Sequence, residues 1–203
     1  KNKAEFYHQE VDNLINKIQS PDNHEYKIYI HDWILKNVQK GNSVLDVGCG
    51  HGVLCYHLAQ KGCEVTGMDL TQLSVDFCSK KIPNCQFIQG EAEKIPFEDN
   101  QFDIVSSNQL IEHLPEPVVA IKEMIRICKS GGKIILTTPI MDYWGGREVG
   151  HLQEFDCYNI FGLFKQCGDD FKIYWLSKIH KHAKSKKEAG RKNIFGVIFN
   201  VIK

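Results

Sequence analysis

The sequence has no excess of charge of either sign. Lys and Arg number 25 and Asp and Glu number 25 among 203 residues, so the formal net charge is zero and no general attraction to nucleic acid follows. It has no run approaching the ~18 apolar residues of a membrane-spanning helix, and no signal peptide is visible. The apolar stretch Ile194 to Ile202 is too short to span and reads as a core strand. Metal-type Cys-x-x-Cys spacings are missing as well. The eight cysteines lie in predicted helices and turns of a chain long enough to bury one core of its own, so they read as reduced thiols of a cytoplasmic protein rather than as a disulfide framework.

What is present centres on residues 44–52, Val-Leu-Asp-Val-Gly-Cys-Gly-His-Gly. Val44 to Val47 reads as a short buried strand, and a helical apolar pattern starts at Val53 and Leu54. Between them Gly48 and Gly50 reach backbone angles closed to other residues and leave the main chain open to a ligand. The N–H groups of this turn are expected to point toward an anionic or polar ligand group. Asp46 stands out in an apolar strand, because a buried carboxylate is costly unless something pairs with it. A cationic ligand group would be such a partner. The nicotinamide dinucleotide fingerprint begins in the same way but requires a third glycine at position 53, where this chain has Val53 and places its glycine at Gly52. An acidic residue suited to ribose hydroxyls is expected about 20 residues on, and Asp69 closes the stretch Glu64 to Asp69.

The remainder alternates strand and helix. A helix from about His24 to Val38 precedes the glycine loop, and Gly62 ends the helix after it. Thr71 caps the next helix, Gln86 to Gln89 is a third strand and Phe102 to Ser107 a fourth. Pro117 opens a helix over Val118 to Cys128, which Gly131-Gly132 ends before a fifth strand, Lys133 to Thr138. Asp156 caps a further helix ended by Gly168, and Phe171 to Ile179 and Gly196 to Ile202 are the last strands. This alternation predicts a doubly wound α/β fold whose ligand lies beyond the carboxyl ends of the strands, where the glycines and acidic residues collect.

The glycine loop, Asp69, Gly90-Glu91-Ala92-Glu93, Phe102-Asp103-Ile104-Val105 and Ser130-Gly131-Gly132-Lys133, in this order, resemble the class I S-adenosylmethionine-dependent methyltransferase family. The resemblance implies a Rossmann-like sheet of seven strands, mostly parallel with an antiparallel last strand. It also implies an N-terminal helical lid, residues 1–40, on an S-adenosylmethionine-binding domain, residues 41–203, with Tyr7, His8 and Tyr26 as candidate lid side chains. Carried over by position, Asp46, Gly48, Cys49, Gly50, Gly52, Asp69, Leu70, Glu91, Ala92, Asn108 and Gln109 would contact S-adenosyl-L-methionine. Among these, Asp69 would hold the ribose and Glu91 the adenine amino group. Some O-methyltransferases of the family hold a divalent ion with Glu-x-x-Glu-His after strand four; here Gln109 replaces the first glutamate, and no metal is expected.

His113 is the first candidate for a general base, since the unperturbed pKa of histidine suits proton removal from an acceptor hydroxyl. His151, in a region resembling that of sugar-modifying members, is the second, and Tyr143 and Trp144 are candidates for stacking on an acceptor ring. The basic run between Lys178 and Lys192 reads as a solvated loop or as a guide for an acidic acceptor. The resemblance implies methyl transfer to a small-molecule hydroxyl, with quinones and sugars as the leading acceptors. An RNA methyltransferase and a cofactor-binding subunit that activates a partner are the alternatives, and nothing in the sequence sets an oligomeric state.

Overall fold

The computed structural model describes residues 26–140, 152–153, 155–156, 159–179 and 193–202. The chain enters through helix α1 (Tyr26–Lys36) and continues as β1 (Ser43–Val47), α2 (Val53–Gln60), β2 (Glu64–Asp69), α3 (Gln72–Lys81) and β3 (Gln86–Gln89). It goes on through β4 (Phe102–Asn108), a short 3-10 turn (Ile111–His113), α4 (Pro117–Ile127), β5 (Cys128–Ile140), α5 (Asn159–Lys165), β6 (Phe171–Ile179) and β7 (Asn193–Val201). The strands form one sheet in the order β3-β2-β1-β4-β5-β7-β6. The pairs from β3 to β5 are parallel. β7 runs antiparallel to both β5 and β6 and is inserted between them.

Alternation along each strand builds two cores. Leu45, Val47, Val105, Ile134 and Leu136 pack with Ile121, Met124 and Ile125 of α4 and with Ile160 and Phe164 of α5. Val44, Val65, Ile104 and Ile135 pack with Ile30, Trp33 and Ile34 of α1 and with Leu54 and Leu58 of α2. The result is a sheet covered on both faces, as parallel strands require.

The local signals hold where they are punctuation. Thr71 caps α3 by accepting the Ser74 N–H, Gly62 stands at φ 84 after α2, and Asp156 Oδ1 accepts the Asn159 N–H at the start of α5.

Two boundaries differ from expectation. α4 ends at Ile127 and β5 begins at once with Cys128, before the glycine pair. Cys128 pairs with Phe102 and Lys133 with Ile104, so the residues between them bulge out of β5. Gly132 is required by close approach, because a Cβ there would lie 2.7 Å from the Asp103 carbonyl oxygen and 2.9 Å from that of Lys129. The pair is thus a bulge that re-registers β5 on β4, not a helix stop.

Candidate functional site

The strand order reverses between β1 and β4, and crevices of α/β sheets open at such a reversal. A cavity of about 140 Å³ lies there. Its walls are His31 of α1, Asp46 of β1, Gly48, Cys49, Gly50 and His51 of the loop, Val53 and Leu54 of α2, and Asn108, the last residue of β4.

Four of the loop's N–H groups are taken up within the protein. Gly48 and Cys49 both donate to the Met68 carbonyl, at 2.8 and 2.9 Å, and Gly52 donates to the Cys49 carbonyl. Gly50 donates to Oδ2 of Asp69 at 2.9 Å. For these four the expectation that they aim at a ligand does not hold. The loop is laid across the carboxyl end of β2, which takes up its donors.

Asp46 is 3 % exposed. The Ser106 hydroxyl donates to its Oδ1 at 2.8 Å and the Cys55 thiol to its Oδ2 at 3.6 Å. Burial pushes its carboxyl up to about 7, against the two donors, with Asp69 adding a smaller push. The folded carboxyl binds its proton more tightly than the unfolded one. Its contribution to stability is therefore fully present below about pH 4 and is lost as pH rises through about 7. We expect Asp46→Asn to abolish that slope, as urea denaturation at pH 5 and pH 8 would show; equal slopes in variant and wild type would refute the assignment.

Asp69 is held from both sides. The N–H and hydroxyl of Thr71 donate to Oδ1 at 3.0 and 2.9 Å, opposite the Gly50 N–H on Oδ2. A carboxylate has about four lone-pair sites, so it retains room for a ligand hydroxyl. Leu70, 63 % exposed, follows it. Glu91 is exposed just beyond β3 in an isolated bridge with Lys94, and Ala92 is buried. Gln109 takes a left-handed backbone at φ 55, and its N–H donates to the Thr137 carbonyl at 2.8 Å. Of the predicted cofactor contacts, Asp46, Gly48, Cys49, Gly50 and Asn108 share the cavity. Gly52, Asp69, Leu70, Glu91, Ala92 and Gln109 lie at or just beyond the ends of β1 to β4 and do not line it.

His113 lies on the 3-10 turn, exposed, and does not line the cavity. Its neighbour Glu112 is buried and anchors the turn: the Thr138 hydroxyl donates to its carboxylate at 3.0 Å, and the N–H groups of Leu152 and Gln153 donate to its carbonyl. His151, Tyr143, Trp144, Tyr7, His8 and the run from 180 to 192 lie outside the described residues. His31, His51, Val53 and Leu54 line the cavity without having been expected there. The one signal for His31 was a polar side chain at helical spacing from Ile34 on an apolar face.

No disulfide joins the cysteines among the described residues. Hydrogen bonding to the Cys55 thiol pushes the Cys49 thiol up, and hydrogen bonding to the Cys49 thiol pushes the Cys78 thiol up, with burial adding to each. They stay protonated and are poor nucleophiles. Also among the described residues, no group of His, Cys, Asp and Glu side chains is placed to hold a metal ion, and no helix is long and apolar enough to cross a membrane.

The family of the methyltransferase domain matches residues 45–136, from β1 through most of β5. A ubiquinone biosynthesis O-methyltransferase of Pseudomonas fluorescens is 34 % identical over 113 residues, 53 % of this chain and 49 % of that protein. A demethylmenaquinone methyltransferase of Staphylococcus epidermidis is 36 % identical over 106 residues, 49 % of this chain and 44 % of that one. Residues 45–136 carry a methyltransferase domain of the class I S-adenosylmethionine-dependent type. It spans about half the length of the curated relatives it matches. The fold of this methyltransferase domain extends further than the sequence match. A TehB-like methyltransferase from Corynebacterium glutamicum superposes with a TM-score of 0.72 at 18 % identity, covering 98 % of this chain and 97 % of the other. The cofactor of the domain is S-adenosyl-L-methionine. The residues present fit it: the molecule carries cations and no phosphate, and the cavity offers a buried carboxylate held by a hydroxyl and a thiol.

Proposed function

We propose that the chain methylates a small-molecule hydroxyl, with a quinone precursor or a sugar as the acceptor. The observation that carries the cofactor half is Asp46, a carboxylate buried at the strand-order reversal and suited to a cation. The acceptor class is supported by the similarity to a ubiquinone biosynthesis O-methyltransferase and a demethylmenaquinone methyltransferase. Bound S-adenosylmethionine supplies an electrophilic methyl group on a sulfonium. In this reading Asp46 takes the ammonium, Asp69 the ribose hydroxyls and Glu91 the adenine amino group, with Leu70 and Ala92 beside the adenine. Asn108 and Gln109 contribute from the end of β4. Residues 1–40, of which 26–40 are described, act as the lid.

Holding the reactants in line is worth roughly 7–11 kcal/mol, whereas a base contributes about 10²–10⁴-fold. Positioning by the glycine loop and the acidic residues therefore dominates. His113 and His151 are the side chains proposed to take the hydroxyl proton. Cysteines without disulfides among the described residues support a reducing, cytoplasmic setting.

Calorimetric titration with S-adenosylmethionine, S-adenosylhomocysteine and a nicotinamide dinucleotide tests the reading. Micromolar binding of the first two alone is expected, followed by methyl uptake into hydroxyl acceptors that His113→Ala diminishes. Absence of binding would overturn the reading, and binding without turnover on any acceptor would favour a partner-activating subunit.

A further inference from the structure

Toward its end β5 carries Thr137 and Thr138 in succession, and alternation along a strand sends their hydroxyls to opposite faces of the sheet. Both residues are 1 % exposed, and a buried hydroxyl is costly without a partner. On one face the Thr137 hydroxyl bonds Oδ1 of Asn108, which lines the cavity. On the other the Thr138 hydroxyl donates to Oε2 of Glu112 at 3.0 Å, and Glu112 is itself buried. Asn108 pairs with Thr137 in the sheet, and the left-handed Gln109 then turns the chain off β4 toward the 3-10 turn.

Neighbouring residues of one strand thus hold two different parts of the molecule. Thr137 braces a wall of the cavity, and Thr138 braces the turn that carries His113. A carboxylate is costly to bury unless it is bonded, so Glu112 keeps the turn at one depth on β5. The peptide between Glu112 and His113 is held as well. Its carbonyl accepts the N–H groups of Leu152 and Gln153, each at 2.9 Å, and its own N–H donates to the Leu110 carbonyl at 2.8 Å. His113 is exposed on this anchored backbone, next to Leu152, which is 58 % exposed.

We propose that the bond between Thr138 and Glu112 is a positioning device for methyl transfer, which fixes where His113 stands relative to the cavity wall that Thr137 braces. The inference rests on the reading of the cavity as the cofactor site and of His113 as the base. In that reaction the carbon–oxygen bond to the acceptor forms as the carbon–sulfur bond breaks. The bonding pair stays on sulfur, and the hydroxyl proton passes to His113. A base must stand within hydrogen-bond reach of that hydroxyl, and a misplacement of about 1 Å costs on the order of 10²-fold. Glu112 and Thr138 are positioning residues, buried and acting through His113.

The test is a double-mutant cycle between Thr138→Val and His113→Ala. Its readout is methyl uptake from S-adenosylmethionine into catechol, an apolar ring with hydroxyls that suits a histidine beside an exposed leucine. Thr138→Val keeps the branched shape and removes the hydroxyl. It is expected to lower kcat about 10- to 100-fold, while the Kd for S-adenosylmethionine stays within about twofold. Thr138→Ser, which restores the hydroxyl, should recover most of the activity. In the His113→Ala background Thr138→Val should cost less than about twofold, because the residue it acts through is gone. A loss of equal size in both backgrounds, an unchanged kcat, or no recovery with serine would overturn the proposal. Should Thr138→Val fail to fold, as judged by its thermal melt, the cycle is run with Glu112→Gln, which exchanges the acid for an amide of the same shape; equal losses with and without His113 would overturn it there too. Catechol left unmethylated by the wild type, or full turnover in His113→Ala, would instead overturn the reading of acceptor or base, and the inference with it.

Discussion

Asp69→Ala is expected to weaken binding of S-adenosylmethionine at least about 100-fold, as read by calorimetry. Hydrogen bonds to a charged group are worth about 1.5–3 kcal/mol each, and a ribose offers two hydroxyls. Losing both is worth about 3 kcal/mol or more, and each 1.4 kcal/mol is tenfold in affinity. The same carboxylate fixes the Gly50 N–H and the start of α3 through Thr71, so the variant also releases the glycine loop. Asp69→Asn keeps an acceptor for one hydroxyl and should fall between wild type and alanine. Unchanged affinity in the alanine variant would remove Asp69 from the site.

Arg126→Ala should lower unfolding stability by about 2–4 kcal/mol, measured by urea denaturation. The guanidinium makes a two-pronged contact with Glu123, at 2.8 Å on each arm, and donates to the carbonyls of Phe97 at 2.8 Å and Ile95 at 3.0 Å. Glu123 in turn accepts the Ile95 N–H at 3.0 Å. The further pair with Asp99, which is 65 % exposed, adds little. Removing the arginine leaves two partly buried carbonyls and a carboxylate without their donor. Lysine is not expected to rescue, because a point charge cannot match the fork. This clamp holds the connection from β3 to β4, which begins beside Glu91, so the variant should also bind cofactor more weakly. A stability change below about 0.5 kcal/mol, the usual range of surface substitutions, would refute the clamp.

Legibility followed the range of the interactions. β3 at Gln86–Gln89 and β6 at Phe171–Ile179 match their sequence expectations residue for residue, because apolar patterning and turn residues are properties of neighbours in the chain. The start of β5 was not legible. Whether Gly131 and Gly132 stop a helix or bulge a strand depends on the Asp103 carbonyl of β4. The clamp of Arg126 reaches back 29 residues to Phe97, and nothing near Arg126 announces it.

The site divides in the same way. The sequence by itself determined a strand, glycine turn and helix at residues 44–60, an acidic residue at the end of the next strand, and a doubly wound α/β chain. These are local patterns whose physical causes lie within a few residues. Only the tertiary structure decided that the N–H groups of Gly48, Cys49 and Gly50 go to Met68 and Asp69. It alone placed Asp46 on Ser106, 60 residues away, His31 beside Asn108, 77 residues away, and His113 exposed on the 3-10 turn. Polar groups find partners by position in space, and strand order sets that position. The placement of β1 against both β2 and β4 is what turns a glycine motif into a cavity with a carboxylate on one wall and two nitrogens on another.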